Sequence, residues 1–262
     1  MSTLSLLGSL WRFDPFAVAA CIATATVLLA RRSELGPRAI WLGSAVVVLV
    51  AALASPIGSL ADGYLFSAHM LQHLLLVLVV PPLALLGWPT RRDARPSVWR
   101  RRLHPLVPWL LGVGAMWLWH EPKLCDAASS SPIVHRVQEL SLLAMGTAFW
   151  WPVLAPRAGA RLSPLAGILY LFTACVACTL LGIIITFSPV EVCSVFAHPV
   201  DRLGVMPLVR DGWGLSAEKD QQVGGLLMWV PACLVYAAGI MGQLARLFAE
   251  HEVTAREEEE PS

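Results

Sequence analysis

"HMLQHLLLVLVVPPLALLGW", His69 to Trp88, decides the fold. From Leu74 onward it holds nothing that ionises, and with the turn before it the stretch reaches the ~20 apolar residues that cross a hydrocarbon core. Two imidazoles nevertheless stand at its start, four residues apart, so on a helix His69 and His73 share one face. The rest of the chain sets the context. Of the 262 residues 56% are hydrophobic and 14% charged, with a mean hydropathy of +0.65, a balance that belongs to an integral membrane protein and not to a soluble domain. No nucleic-acid partner is expected. The net charge of +1 only averages a basic body with the acidic tail "REEEEPS".

Hydropathy predicts an all-α bundle of seven transmembrane helices. They run over Pro15 to Ala30, Arg38 to Ile57, Phe66 to Trp88, Leu106 to Trp119, Ile133 to Leu154, Pro164 to Phe187 and Val223 to Phe248. Of the nineteen basic residues thirteen fall in one alternating set of connections, the set holding Arg31, Arg91, Arg157 and Arg246. By the positive-inside rule that set is cytoplasmic, which places the N-terminus outside and the C-terminus inside. Trp11, Trp41, Trp88, Trp117, Trp119, Trp150, Trp151 and Trp213 fall near span ends, where indole favours the headgroup layer. The opening segment lacks a basic cluster and a small-residue cleavage pattern, so it is expected to remain as the first helix. One domain over residues 1–250 and a disordered acidic cytoplasmic tail over 251–262 are expected. The basic loop Thr90 to Pro105 is read as an anchor to anionic membrane lipid. The long outer connection Ser188 to Gln222 looks ordered enough to cover something. Pro81, Pro82 and Pro231 remove backbone donors and are expected to bend their helices.

On this topology the ionisable residues collect at one end. His69, His73, His120, His135 and His198 all fall on the outer side, with Glu139 and Asp220, whereas the cytoplasmic halves of the spans hold almost none, which argues against a conducting path. His135 and Glu139 repeat the four-residue spacing of His69 and His73. His120 closes the fourth span one turn beyond Met116; Asp220 and Gln221 open the seventh, with Met228 two turns further in. Nitrogen, carboxylate and thioether donors from four helix ends suit a metal ion, with copper favoured where a methionine (Met70, Met116 or Met228) takes part and zinc or iron left open. Blander readings stand beside these. Two histidines at a membrane surface can be wet helix caps, Glu139 can pair with Arg136, Asp220 can cap a helix, His198 can be a surface residue, and Met116 and Met228 can be packing. Cys175 and Cys178 read as small apolar packing residues. Cys125 and Cys193, both in outer loops, could stay free or pair in an oxidising compartment.

"HMLQHLLLVLVVPPLALLGWP", "WLWHEPKLCDAA", "VHRVQE" leading to "FWWPV", and "DQQVGGLLMWVP" occur in that order. Together they resemble the CtaG-type cytochrome c oxidase assembly factors over about Ser55 to Val235. The resemblance implies a multi-pass protein of the bacterial cytoplasmic membrane that helps form the copper centre of the oxidase catalytic subunit. It implies that His69, His73, His120 and His135 are its functional histidines, with Asp220 and Gln221 in the same region. An assembly factor is then favoured over an enzyme. The alternative from the residues themselves is a membrane metalloenzyme with one or two metal ions on the same donors; a b-type haem and a copper transporter are weaker readings.

Overall fold

Helix after helix in this chain opens on a proline set behind a polar residue. Proline has no N–H to lose at the first helical position, and its fixed φ suits the turn. The computed structural model describes residues 8–89 and 104–259 and is all-helical, with no strand among the described residues. Asp14 precedes Pro15 and accepts from Ala17 N at 2.8 Å, starting α1 (Pro15–Ala30). α2 (Arg38–Ala54) stops short of Ile57 because Ser55 and Pro56 start a new short helix, α3 (Pro56–Ala61). α4 (Phe66–Gly87) follows, then α5 (Leu106–Trp119), α6 (Pro122–Ser130) capped by Glu121, α7 (Pro132–Leu154), α8 (Pro164–Phe187), the single turn α9 (Ser194–Ala197) and α10 (Ala217–Glu259). Each of the seven apolar stretches read from the sequence falls on a helix. α10 is longer than expected at both ends, and its helical backbone continues into the acidic segment as far as Glu259. Most of the basic loop over 90–105 lies outside the described residues.

α4, α8 and α10 are long and apolar enough to cross a membrane, and α1, α2 and α5 are shorter apolar helices. α7 has the length, at 23 residues, but carries His135, Arg136 and Glu139 in its first turns. The outward faces are apolar. On α8, Leu165, Leu169, Phe172, Val176, Leu180 and Ile184 are exposed, while Leu171, Ala174, Cys178 and Ile185 on the opposite face are buried. Such a continuous exposed apolar stripe fits lipid and not water.

α4 lies at the centre, packed against α2 and α7 and, along its first half, against α10; α8 runs along α10, α5 along α7, and α1 covers α2. Near its middle α4 widens into a π turn, Leu75–Val79, just before Pro81 and Pro82. Pro81 cannot donate to the carbonyl of Val77, four residues back, and in a lipid-enclosed core that oxygen needs another donor. Trp150 supplies it, donating from Nε1 to Val77 O at 3.1 Å. Gly146 makes the approach possible, since a Cβ there would lie 2.9 Å from Val77 Cα and O. Trp150 is therefore a core residue, 2% exposed, and not the membrane-surface anchor expected from its position. Trp11, Trp41, Trp88, Trp117 and Trp213 are exposed as expected.

Trp150→Phe keeps an aromatic ring and leaves the Val77 carbonyl unpaired, a cost of about 1–3 kcal/mol. The melting midpoint of the detergent-purified protein should fall by several degrees, and the same change at exposed Trp117 should leave it nearly unmoved.

Candidate metal site

His69 and His73 project from the first two turns of α4, where the four-residue spacing stacks their rings with centroids 4.2 Å apart. His120, which ends α5, approaches His73 at 5.6 Å, and His135, in the first turn of α7, approaches His69 at 5.6 Å. All four are buried. The rings form one contiguous group drawn from three helix ends. Among the described residues, no three His, Cys, Asp or Glu groups converge closely enough to make a ready ligand set.

Hydrogen bonding fixes which nitrogens are open. His69 Nδ1 lies 3.2 Å from the Ala61 carbonyl. A carbonyl only accepts, so the proton sits on Nδ1 and the Nε2 lone pair is free; that Nε2 has no partner. His120 repeats the pattern, with Nδ1 2.5 Å from the Met116 carbonyl, and its Nε2 faces the Met70 sulfur at 3.0 Å. Two lone-pair atoms are thus set against each other, an arrangement that a cation between them would relieve. Neither ring nitrogen of His73 closes a hydrogen bond, and neither does either ring nitrogen of His135. Buried polar atoms without partners are uncommon, and here several lie together. Imidazoles with open lone pairs suit a cation that binds nitrogen and sulfur.

Glu139 is the hub of a second network. Its Oε1 lies 3.2 Å from His135 Nε2 and accepts from Gln72 Nε2 at 2.9 Å, and its Oε2 lies 2.7 Å from Arg136 Nη1. Arg136 Nη2 continues to Asp14 at 2.6 Å, the residue that caps α1. The pairing of Glu139 with Arg136 is present, and the same carboxylate lies beside His135. Gln72 ties the hub to α2 by donating to Ala52 O at 3.0 Å. Sequence reading passed over Gln72 and Asp14, whose only signal was position, between the two histidines and ahead of Pro15.

Of the two readings of Asp220, donor and cap, the contacts of a cap are present. Asp220 reaches across to α4 and accepts from Phe66 N at 2.8 Å, Ser67 N at 3.0 Å and Ser67 Oγ at 2.5 Å, with both oxygens engaged. It caps the histidine helix from another helix. Gln221 is turned to the connection that follows α8, accepting from Val192 N and donating to Val190 O, and does not meet the histidines. His198 is exposed beyond α9. Met116 and Met228 are buried on the inner side of His73.

The connection between α8 and α10 covers the site. Cys125 of α6 and Cys193 form a disulfide. Asp126 accepts from Ser194 Oγ at 3.0 Å and from Val195 N at 3.4 Å, which holds α9 in place. Phe196 of α9 lies against His69, with ring centroids 5.2 Å apart, and against Phe66 at 5.7 Å.

Residues 22–250 match the cytochrome c oxidase caa3 assembly factor family (Caa3_CtaG). The chain belongs to that family. Curated relatives of this Caa3_CtaG protein include the uncharacterized protein ML1998 of Mycobacterium leprae, 26% identical over 95% of the chain and 41% of the relative. Another is the uncharacterized protein Mb0105 of Mycobacterium bovis, 26% identical over 98% of the chain and 42% of the relative. The chain therefore spans about two-fifths of the length of the curated relatives it matches. No solved structure matches it.

Asp220→Ala should cost about 1–2 kcal/mol through the lost cap and lower the melting midpoint in detergent, with Asp220→Asn, which keeps an acceptor, falling in between.

Proposed function

We propose that this Caa3_CtaG protein is a membrane-embedded copper-binding assembly factor that hands copper to the catalytic subunit of a haem-copper cytochrome c oxidase. Copper is its cargo. The observation that carries this reading is the buried group of His69, His73, His120 and His135, from three helix ends, with open nitrogens and the Met70 sulfur at its edge. Family membership supplies the oxidase, and the donor chemistry favours copper over zinc or iron, because a thioether beside imidazole suits a soft ion.

In this reading seven helices span the bacterial inner membrane with the N-terminus outside, the C-terminus in the cytoplasm, the body over 1–250 as one domain and the acidic tail over 251–262 inside. The basic residue distribution supports that orientation. So does the Cys125–Cys193 disulfide beside the histidines, since such bonds persist on the oxidising side of a membrane. The histidines are the cargo donors. Glu139 and Arg136 orient His135, Asp220 sets the position of the helix that carries His69 and His73, and Phe196 limits water at His69. A delivery site has to release what it holds, and donors that touch without closing into a cage suit that requirement.

The detergent-purified full-length chain should contain copper by elemental analysis. His69→Ala should remove the histidine-held ion and leave the assembled oxidase with its haem but deficient in copper. Glu139→Gln, which keeps the shape of the side chain but not the charge that orients His135, should weaken copper binding by about 10–100-fold. Copper content and affinity unchanged by both substitutions would contradict the proposal.

A further inference from the structure

One helical turn inward from the imidazoles the donors change from nitrogen to sulfur. A small cavity between α4, α5, α8 and α10 is lined by His73, Met116, Cys178 and Met228, with Leu74, Leu78 and Ala232 completing its wall. It has room for about one water-sized body. The four donor residues are 1%, 4%, 4% and 3% exposed, so none is a solvent ligand. Packing alone accounts for a buried methionine or a buried cysteine. It does not account for His73, which lines this cavity and whose two ring nitrogens are buried without a hydrogen-bond partner, at a cost that a leucine in the same place would avoid. The Gln138 amide approaches His73 but closes no hydrogen bond of good geometry.

We propose that His73, Met116, Cys178 and Met228 form a second metal position, separate from the imidazole group above it and selective for a soft monovalent ion, copper(I), with silver(I) as its analogue. The proposal rests on the reading of copper as cargo and adds where the reduced ion goes. Two thioethers and a thiol are soft donors that select copper(I) over harder ions. The two thioethers and the imidazole carry no charge, so a monovalent ion brings a single charge into a low-dielectric site, whereas a divalent one would bring two with little to offset them. Tyr236 supports the thiol, its hydroxyl 3.5 Å from Cys178 Sγ. His73 belongs to both groups, touching His69 and His120 on one side and lining the cavity on the other. The Cys175 and Cys233 sulfurs, 3.4 Å apart, form a separate pair that does not line the cavity.

The test is X-ray absorption on the full-length protein in detergent, loaded without oxygen with copper(I) alone, and in parallel with copper(II) alone. Copper(I) should show sulfur as well as nitrogen neighbours, and Met116→Leu combined with Met228→Leu and Cys178→Ser should lower the sulfur coordination number and remove one equivalent of copper(I) while leaving copper(II) loading intact. His69→Ala should do the reverse. Met→Leu conserves volume, and should the triple variant fail to fold, Met228→Leu alone has to lower the sulfur coordination number. An all-nitrogen shell around copper(I) in the wild type would overturn this inference and leave the proposed function standing. A sulfur coordination number unchanged in the triple variant would also overturn it. Failure to bind copper in either state would end both.

Discussion

Asp220 accepts three hydrogen bonds from the first turn of α4, and through them one carboxylate of α10 sets where the histidine helix begins. A helix start enclosed by apolar neighbours leaves several N–H groups that neither lipid nor the helix itself can satisfy. Phe66 and Ser67 find their acceptor 154 and 153 residues away in the chain. With that end fixed, His69 and His73 lie level with the ends of α5 and α7, and the four imidazoles meet. The rest of the site is arranged around this depth: Glu139 against His135, the Ala61 carbonyl against His69, and the Met116 carbonyl against His120.

The middle of α4 follows the same constraint. Pro81 releases the Val77 carbonyl, the π turn presents it sideways, and Trp150 reaches it past Gly146. A polar contact at that level joins α4 to α7 without placing any charge in the bundle. The two helices that bring His69, His73 and His135 together are thereby locked at Val77, about one helical turn beyond His73.

Much of this was legible in the sequence, and the reason is local. The apolar stretches and the prolines behind polar caps mark helices whose starts depend on neighbours a few residues away, so Pro15, Leu106 and Pro164 were placed correctly. The grouping of His69, His73, His120 and His135 followed from putting three apolar stretches at one depth. The illegible part is what crosses between helices. Nothing near Asp220 indicates that it caps α4 rather than its own helix, and nothing near Trp150 indicates that a proline on another helix has released a carbonyl for it. Asp14 meets Arg136 across 122 residues. For Cys125 and Cys193 the sequence favoured free thiols, and only α6 and the connection after α8 lying side by side show the pair.

The account depends on imidazoles from different helices serving one ion. The direct measurement is pulsed electron paramagnetic resonance of the copper(II)-loaded full-length protein, which counts the imidazole nitrogens coupled to the metal. More than one imidazole is predicted, with the count falling in His69→Ala and again in His120→Ala, substitutions on two separate helices. A spectrum with no coupled imidazole, or one that neither substitution alters, would contradict it.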